Sequence, residues 1–315
     1  MKGSVVCLGA AAMDLIFQVD RFPLADEMVF ASGEPGLFPG GSTANIAAGL
    51  ARLGVRARFV GKVGPDANGD ALRAAFEHDG VDTKWLMTEA DGRTAQTIIV
   101  VDHSGNRIIY SLGGTALLET PDELDSAIMD GVGLLYVGEA FPAVAQRAIS
   151  QARSCGAIVA YGPGGATSWI EPDVLLDLLG KADYVLVSRG ELRAITSFEK
   201  PRDGAICLLN QGARNVVVTL GSAGSECYGG EAPHDPWRVD AFRVQPVDTT
   251  GAGDSFAAGF AAGLIEGRLV QECLVRGNAM AAIAISRVGA REALPTRKEL
   301  DAFLGTHLVE GGDGV

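Results

Sequence analysis

Aromatic residues make up only 6% of this 315-residue chain, and the residue types that build structural metal sites are scarcer still. The four histidines (His78, His103, His234, His307) are dispersed, and none is spaced as a zinc ligand. The five cysteines (Cys7, Cys155, Cys207, Cys227, Cys273) are odd in number and never in Cys-x-x-Cys spacing. That argues against a disulfide framework or a zinc ribbon and for buried thiols in a reducing compartment. Positive charge is also short: 26 Lys and Arg against 39 Asp and Glu leave a net charge of -13. Nucleic acid and anionic membranes are bound through clustered Lys and Arg, so neither is an expected partner. No apolar run approaches the roughly 18 residues of a membrane span. No cationic-apolar leader precedes the first strand-like run, Ser4 to Leu8, and a cytoplasmic location is expected. A Gly-x-x-x-x-Gly-Lys-Ser/Thr phosphate loop, internal repeats and low-complexity linkers are missing as well.

What the chain does have is a regular rhythm. From Pro121 onward, helical segments 122–129, 143–155, 172–179, 189–196 and 201–211 alternate with short apolar strands 134–137, 157–160, 184–187 and 215–219. Strand 58–63 and helices opening at Ser42 and Asn68 carry the same rhythm earlier. Such alternation predicts an α/β fold: a doubly wound, mainly parallel sheet with helices on both faces and right-handed crossovers. Residues 12–37 contain several breakers (Pro23, Gly33, Pro35, Gly36), and 94–101 with 107–110 form a hairpin across Asp102 to Asn106. These pieces fall outside the rhythm. They predict a small β lid, 12–37 and 92–112, inserted in a core of 1–11, 38–91 and 113–315. The last residues, Glu310 to Val315, read as a loose tail.

One stretch concentrates the chemistry: Val247-Asp248-Thr249-Thr250-Gly251-Ala252-Gly253-Asp254-Ser255-Phe256, running into an apolar helix. Residues without bulky side chains let the backbone approach a ligand, and a helix N-terminus favours an anion. Taken alone, Asp254 reads at least as well as an ordinary helix-capping Asp. A dinucleotide fingerprint fails, because Phe256 stands where the third glycine belongs. Earlier, Gly40-Gly41-Ser42-Thr43-Ala44-Asn45 opens a helix for which Ser42 or Thr43 can serve as cap. Asn45 there is either a helix-surface amide or a buried group that binds a polyol. Ligands of parallel sheets bind beyond the strands' carboxyl ends, where Asp14, Glu139, Ser188, Glu191 and Thr219 fall.

Together, the Gly40 to Ala47 turn-helix and Asp248-Thr249-Thr250-Gly251-Ala252-Gly253-Asp254 resemble the two signatures of the ribokinase-like (PfkB) family of carbohydrate and nucleoside kinases. The resemblance runs along essentially the whole chain, including the Thr219 to Gly224 loop and the Gly277 to Ala282 helix. It implies an ATP-dependent, Mg²⁺-requiring enzyme that phosphorylates a hydroxyl, expected to be a primary one, of a sugar, sugar derivative or nucleoside. Asp254 would be the base and the amides of Gly251, Ala252 and Gly253 the anion hole. By the same matching, Asp14, Gly40, Gly41, Asn45 and Glu139 would hold the substrate. Ser188, Thr219, Gly221, Ser222, Gly224, Gly251, Gly253 and Asn278 would hold the nucleotide. Glu191 would act on Mg²⁺ through water or phosphate. Asp248 and the carbonyls of Thr250, Ala284 and Gly289 would form a monovalent-cation site for K⁺. A homodimer through the lid is the family's habit.

Ser188 stands where the family commonly has Asn, which weakens the metal assignment. Ser42 and Ala12 replace the Lys and Asn of ribose-specific members, which counts against ribokinase proper. A non-catalytic sugar or nucleotide sensor on the same fold is the competing class; Ser188 favours it, and the intact Asp254 and glycine pair oppose it.

Overall fold

A computed structural model describes residues 3–229 and 232–310; the expected tail at 311–315 lies outside them. The chain opens with β1 (Ser4–Leu8), β2 (Ala12–Val19), β3 (Ala31–Gly40), α1 (Ser42–Arg52), β4 (Ala57–Val63), α2 (Ala67–Asp79) and β5 (Leu86–Thr88). The hairpin β6 (Gln96–Asp102) and β7 (Arg107–Ser111) follows. Next come β8 (Val132–Val137), α3 (Pro142–Ser154), β9 (Ile158–Tyr161), α4 (Pro172–Leu179), β10 (Tyr184–Ser188), α5 (Arg189–Thr196) and α6 (Pro201–Asn210). The chain continues through β11 (Asn215–Thr219), β12 (Ser225–Gly229), β13 (Ala232–Val239), α7 (Ala252–Ile265), α8 (Val270–Ile285) and α9 (Arg297–Glu310).

The main sheet has the order β13-β12-β11-β10-β9-β8-β1-β4-β5, parallel except at β11–β12 and β12–β13. Alternate residues of each strand feed two cores. Val5 and Cys7 pack with α1, α2, α7 and α8, whereas Val6 and Leu8 face the side covered by α3 to α6. A separate sheet, β3-β2-β6-β7, forms the lid. Pro35 and the glycines of β3 are tolerated because β3 is its edge strand. β3 continues to Gly40, three residues past the lid boundary expected at residue 37.

The expected helix over 122–129 is instead two 3₁₀ turns, Pro121–Glu123 and Ser126–Met129. Glu123 bonds back to the Thr120 amide and Asp125 accepts from Ala127 N, so short local bonds displace the i to i−4 ladder. Strands β5, β12 and β13 were not legible in the sequence: β5 is three residues long, and β13 carries two prolines, whose low strand propensity hides it.

α7 is buried from Ser255 to Ile265 and packs closely on α8. A Cβ on Gly259 would lie 2.7 Å from Met280 Cγ and 2.8 Å from the Arg276 carbonyl oxygen, so the glycine sets the helix separation. Gly259→Val is expected to destabilise the protein by about 1–3 kcal/mol through overpacking. Thermal denaturation checks this: an unchanged melting temperature would mean the two helices can separate freely.

Candidate active site

β1 is flanked by β4 on one side and β8 on the other, so the chain reverses its winding direction there. A crevice opens beyond the carboxyl ends of strands at such a point. Gly9 and Gly138 follow these two strands, and a Cβ on either would overlap the Thr43 side chain. The room they leave lets the first turn of α1 drop into the crevice. Thr43 Oγ1 donates to Glu139 Oε2 at 3.1 Å, and Gly165 N donates to Glu139 Oε1 at 3.3 Å.

Neither Ser42 nor Thr43 caps α1; the cap position is Gly41, at φ 95°. Their hydroxyls reach across the crevice instead. Ser42 Oγ donates to Asp254 Oδ1 at 2.7 Å, and Asn45 Nδ2 donates to Asp254 Oδ2 at 2.9 Å. Asp254 therefore does not cap α7 either. The cap is Gly251, whose φ of 74° is strained for any residue with a Cβ, and Asp254 sits in the first turn with its carboxylate turned toward α1. Burial raises its pKa; the hydrogen bonds from Ser42 and Asn45 oppose that rise, and the charge of Glu191 adds to it. The outcome is a half-buried carboxylate braced on both oxygens and more basic than an ordinary Asp. Gly253 faces open space, and the Gly251 and Gly253 amides have no hydrogen-bond partner among the described residues. Ala252 N donates to Thr249 O at 3.3 Å, so it is the least free of the three amides expected to form an anion hole.

Asp14 lies on β2, beside Gly40 of β3, where a Cβ would overlap its carboxylate. Thr97 Oγ1 of β6 donates to Asp14 Oδ1. Burial raises the Asp14 pKa, opposed by Thr97 and by the positive charge of Arg291. Asn45 is only 3% exposed, so it is a buried amide and not one on the helix surface.

Ser42, Ser188, Glu191, Thr219, Gly253 and Asp254 line one cavity of about 100 Å³. Ser188 and Glu191 form a capping box at the start of α5: Glu191 N donates to Ser188 Oγ at 3.2 Å, and Ser188 N donates to Glu191 Oε2 at 2.7 Å. Thr219 ends β11, and the following loop turns through Gly221 (φ 61°), Ser222 and Gly224 (φ 91°) to β12. Asn278 is farther back, its Nδ2 donating to the carbonyls of Val239 and Asp240 at 3.0 and 3.2 Å. A wider depression of about 390 Å³ between α8 and α9 contains none of the expected site residues.

Asp248 accepts from Thr250 N and Gly289 N, both at 2.9 Å. Burial raises its pKa, but these two amides and the charge of Arg107 outweigh it and leave the pKa lowered. The Ala284 carbonyl, nearby at the end of α8, accepts from Arg287 N at 3.0 Å. Among the described residues no cluster of three or more His, Cys, Asp or Glu could hold a metal ion.

The sequence reading gave no site role to five polar side chains found there: Ser42, Thr43, Thr97, Arg107 and Arg291. Arg107, from the lid hairpin, donates to Thr250 Oγ1 at 3.1 Å. Arg291 Nε donates to Asn45 Oδ1 at 3.4 Å. Only Ser42 and Thr43 had a local signal, as small hydroxyls directly after paired glycines; the others are isolated in the sequence.

A switch-point crevice holding a braced carboxylate at a helix N-terminus, bordered by a separate β lid, defines a class: an α/β protein with a site for a small, polar ligand. The profile of the pfkB family carbohydrate kinases matches residues 2–297, and the chain belongs to that family. It is 32% identical over 305 residues to an ATP-dependent ribose-1-phosphate kinase of Halopiger xanaduensis, covering 95% of this chain and 97% of that one. It is 30% identical over 318 residues to fructokinase-1 of Zea mays, covering 94% and 96%. The structure of Arabidopsis thaliana ribokinase complexed with ribose and ATP superposes with a TM-score of 0.85 at 26% identity, covering 96% and 99%.

Proposed function

We propose that the protein transfers the γ-phosphoryl group of ATP to a hydroxymethyl group of a sugar or sugar derivative, with a nucleoside as the second acceptor class. The observation that carries this reading is Asp254, a carboxylate of raised basicity held by Ser42 and Asn45 at the start of α7. The acceptor hydroxyl donates to Asp254, and its oxygen attacks the γ-phosphorus as its proton passes to the carboxylate. The new O–P bond forms as the bond to the bridging oxygen of ADP breaks, and the Gly251 and Gly253 amides receive the charge on the equatorial oxygens. Asp14, Gly40, Gly41, Asn45 and Glu139 hold the acceptor. The nucleotide lies along Ser188, Thr219 and the 221–224 loop, with Asn278 behind it as a support for the β13 end.

Glu191 fits a role toward Mg²⁺. One oxygen is tied to Ser188 N, the other has no hydrogen-bond partner among the described residues, and the side chain lines the cavity. A single carboxylate suits an ion that keeps its waters and is carried by nucleotide phosphates, whose charge it neutralises when bound. Asp248 fits a role toward K⁺: each of its oxygens accepts one amide and keeps a lone pair for a cation. The exposed apolar residues Leu37, Ile109, Tyr110 and Leu112 of the lid region support a homodimer through that sheet.

Release of ADP with a panel of ketohexoses, pentoses, phosphorylated pentoses, sugar acids and nucleosides tests the proposal, and robust turnover with at least one sugar is expected. Binding of sugars by calorimetry with no ADP release from any acceptor would rule it out. Exchanging KCl for choline chloride in the same assay decides the K⁺ site, with a fall in turnover expected.

A further inference from the structure

Arg291 is 2% exposed, lies over the Phe76 ring at 4.8 Å, and follows the loop that packs against Gly251. Its Nε reaches Asn45 Oδ1, while Nη1 and Nη2 have no hydrogen-bond partner among the described residues. A buried guanidinium satisfied at one nitrogen out of three is costly. The nearby carboxylates offset that cost by charge alone, because Asp79 is paired with Arg52 and Asp14 is bonded by Thr97, and neither hydrogen-bonds to Arg291. Burial lowers the Arg291 pKa to about 10, with Arg52 adding to the fall and the charges of Asp79, Glu292 and Asp14 opposing it. A residue kept at that cost is poorly explained by stability.

The geometry offers another account. An amide side chain has one accepting and one donating end, and they can be exchanged by a flip. With Oδ1 of Asn45 facing the Arg291 donor, Nδ2 must face Asp254. The flipped amide would set two donors against each other and an amide oxygen against a carboxylate. We propose that Arg291 is a positioning residue that locks the Asn45 amide and through it aims the Asp254 carboxylate at the acceptor hydroxyl. The proposal rests on Asp254 being the base.

Three variants and their combination test it: Arg291→Met, Asn45→Ala, the double variant, and Arg291→Lys. Arg291→Met removes the donor and the charge at similar volume and is expected to lower kcat about 10²-fold, the cost of a small misplacement at a reacting centre. The KM for ATP should not change, and the melting temperature should hold or rise, because an apolar side chain replaces an incompletely paired ion. The double variant should be no slower than Asn45→Ala alone, since Arg291 acts only through that amide. Arg291→Lys, which keeps one donor and the charge, should retain most of the turnover and serves also if Arg291→Met fails to fold. Losses that add in the double variant, or a kcat loss that follows only a lower melting temperature, would overturn the positioning role. Asp254→Asn assayed in parallel separates the two readings: if it retains turnover, the assignment of the base fails, whatever Arg291 does.

Discussion

Asp254→Asn is expected to leave nucleotide affinity intact and to lower turnover about 10⁴-fold, the upper range for a positioned base. The substitution is nearly isosteric. The new amide oxygen can still accept from Asn45, and the Ser42 hydroxyl can rotate to accept from the new amide nitrogen. The crevice therefore keeps its shape and loses only the proton acceptor. The stability of this variant should move the other way. Burial raises the pKa of Asp254, as it does for Asp14 and Glu139. For an acid whose folded pKa lies above its unfolded value, the folded state favours the protonated form. The stability contribution is full below the ordinary carboxylate range and is lost as pH rises through the raised folded values. Above the raised folded values the ionised carboxylates are held at a cost, and Asp254→Asn removes one share of it. Turnover measured by ADP release, nucleotide binding by calorimetry and melting at pH 7 check the three parts. Near-normal turnover would end the assignment of Asp254 as base.

Asp14→Ala should act almost entirely on the acceptor. A hydrogen bond to a charged group is worth about 1.5–3 kcal/mol, so losing one should cost roughly 10- to 100-fold in acceptor kcat/KM. Asp14 stands on the lid strand β2 and does not line the cavity formed by Ser188, Glu191 and Thr219. The KM for ATP should therefore not change. Equal rises in both KM values would instead place the effect in lid closure, because Asp14 also ties β2 to β6 through Thr97. Steady-state kinetics with each substrate varied in turn separates these outcomes.

These side chains differ in how visible they are in the chain. Gly251, Gly253 and Asp254 announce themselves because a positive φ, an open amide and a helix start are local properties, decided by neighbours in sequence. Ser188 and Glu191 are equally local as a capping box, three residues apart. The same spacing cannot say that they line a cavity with Asp254. Asn45 was legible as a residue of interest but not as buried or exposed, since exposure depends on what covers α1. Arg291 carried no signal at all, being one arginine in a late loop.

The alternation of short apolar strands with amphipathic helices, broken by two β-rich inserts, was sufficient to determine a doubly wound parallel sheet with a small separate one. Periodicity reflects which face of each element must be buried, and burial drives the fold. The tertiary structure alone decided that Ser42 and Asn45 grip Asp254 from 212 and 209 residues away, and that Arg291 meets Asn45 across 246. Hydroxyl, amide and guanidinium groups each have several possible partners. Packing of α1, α7 and the 289–291 loop selects among them, and that selection is made by shape and distance in space rather than by position in the chain.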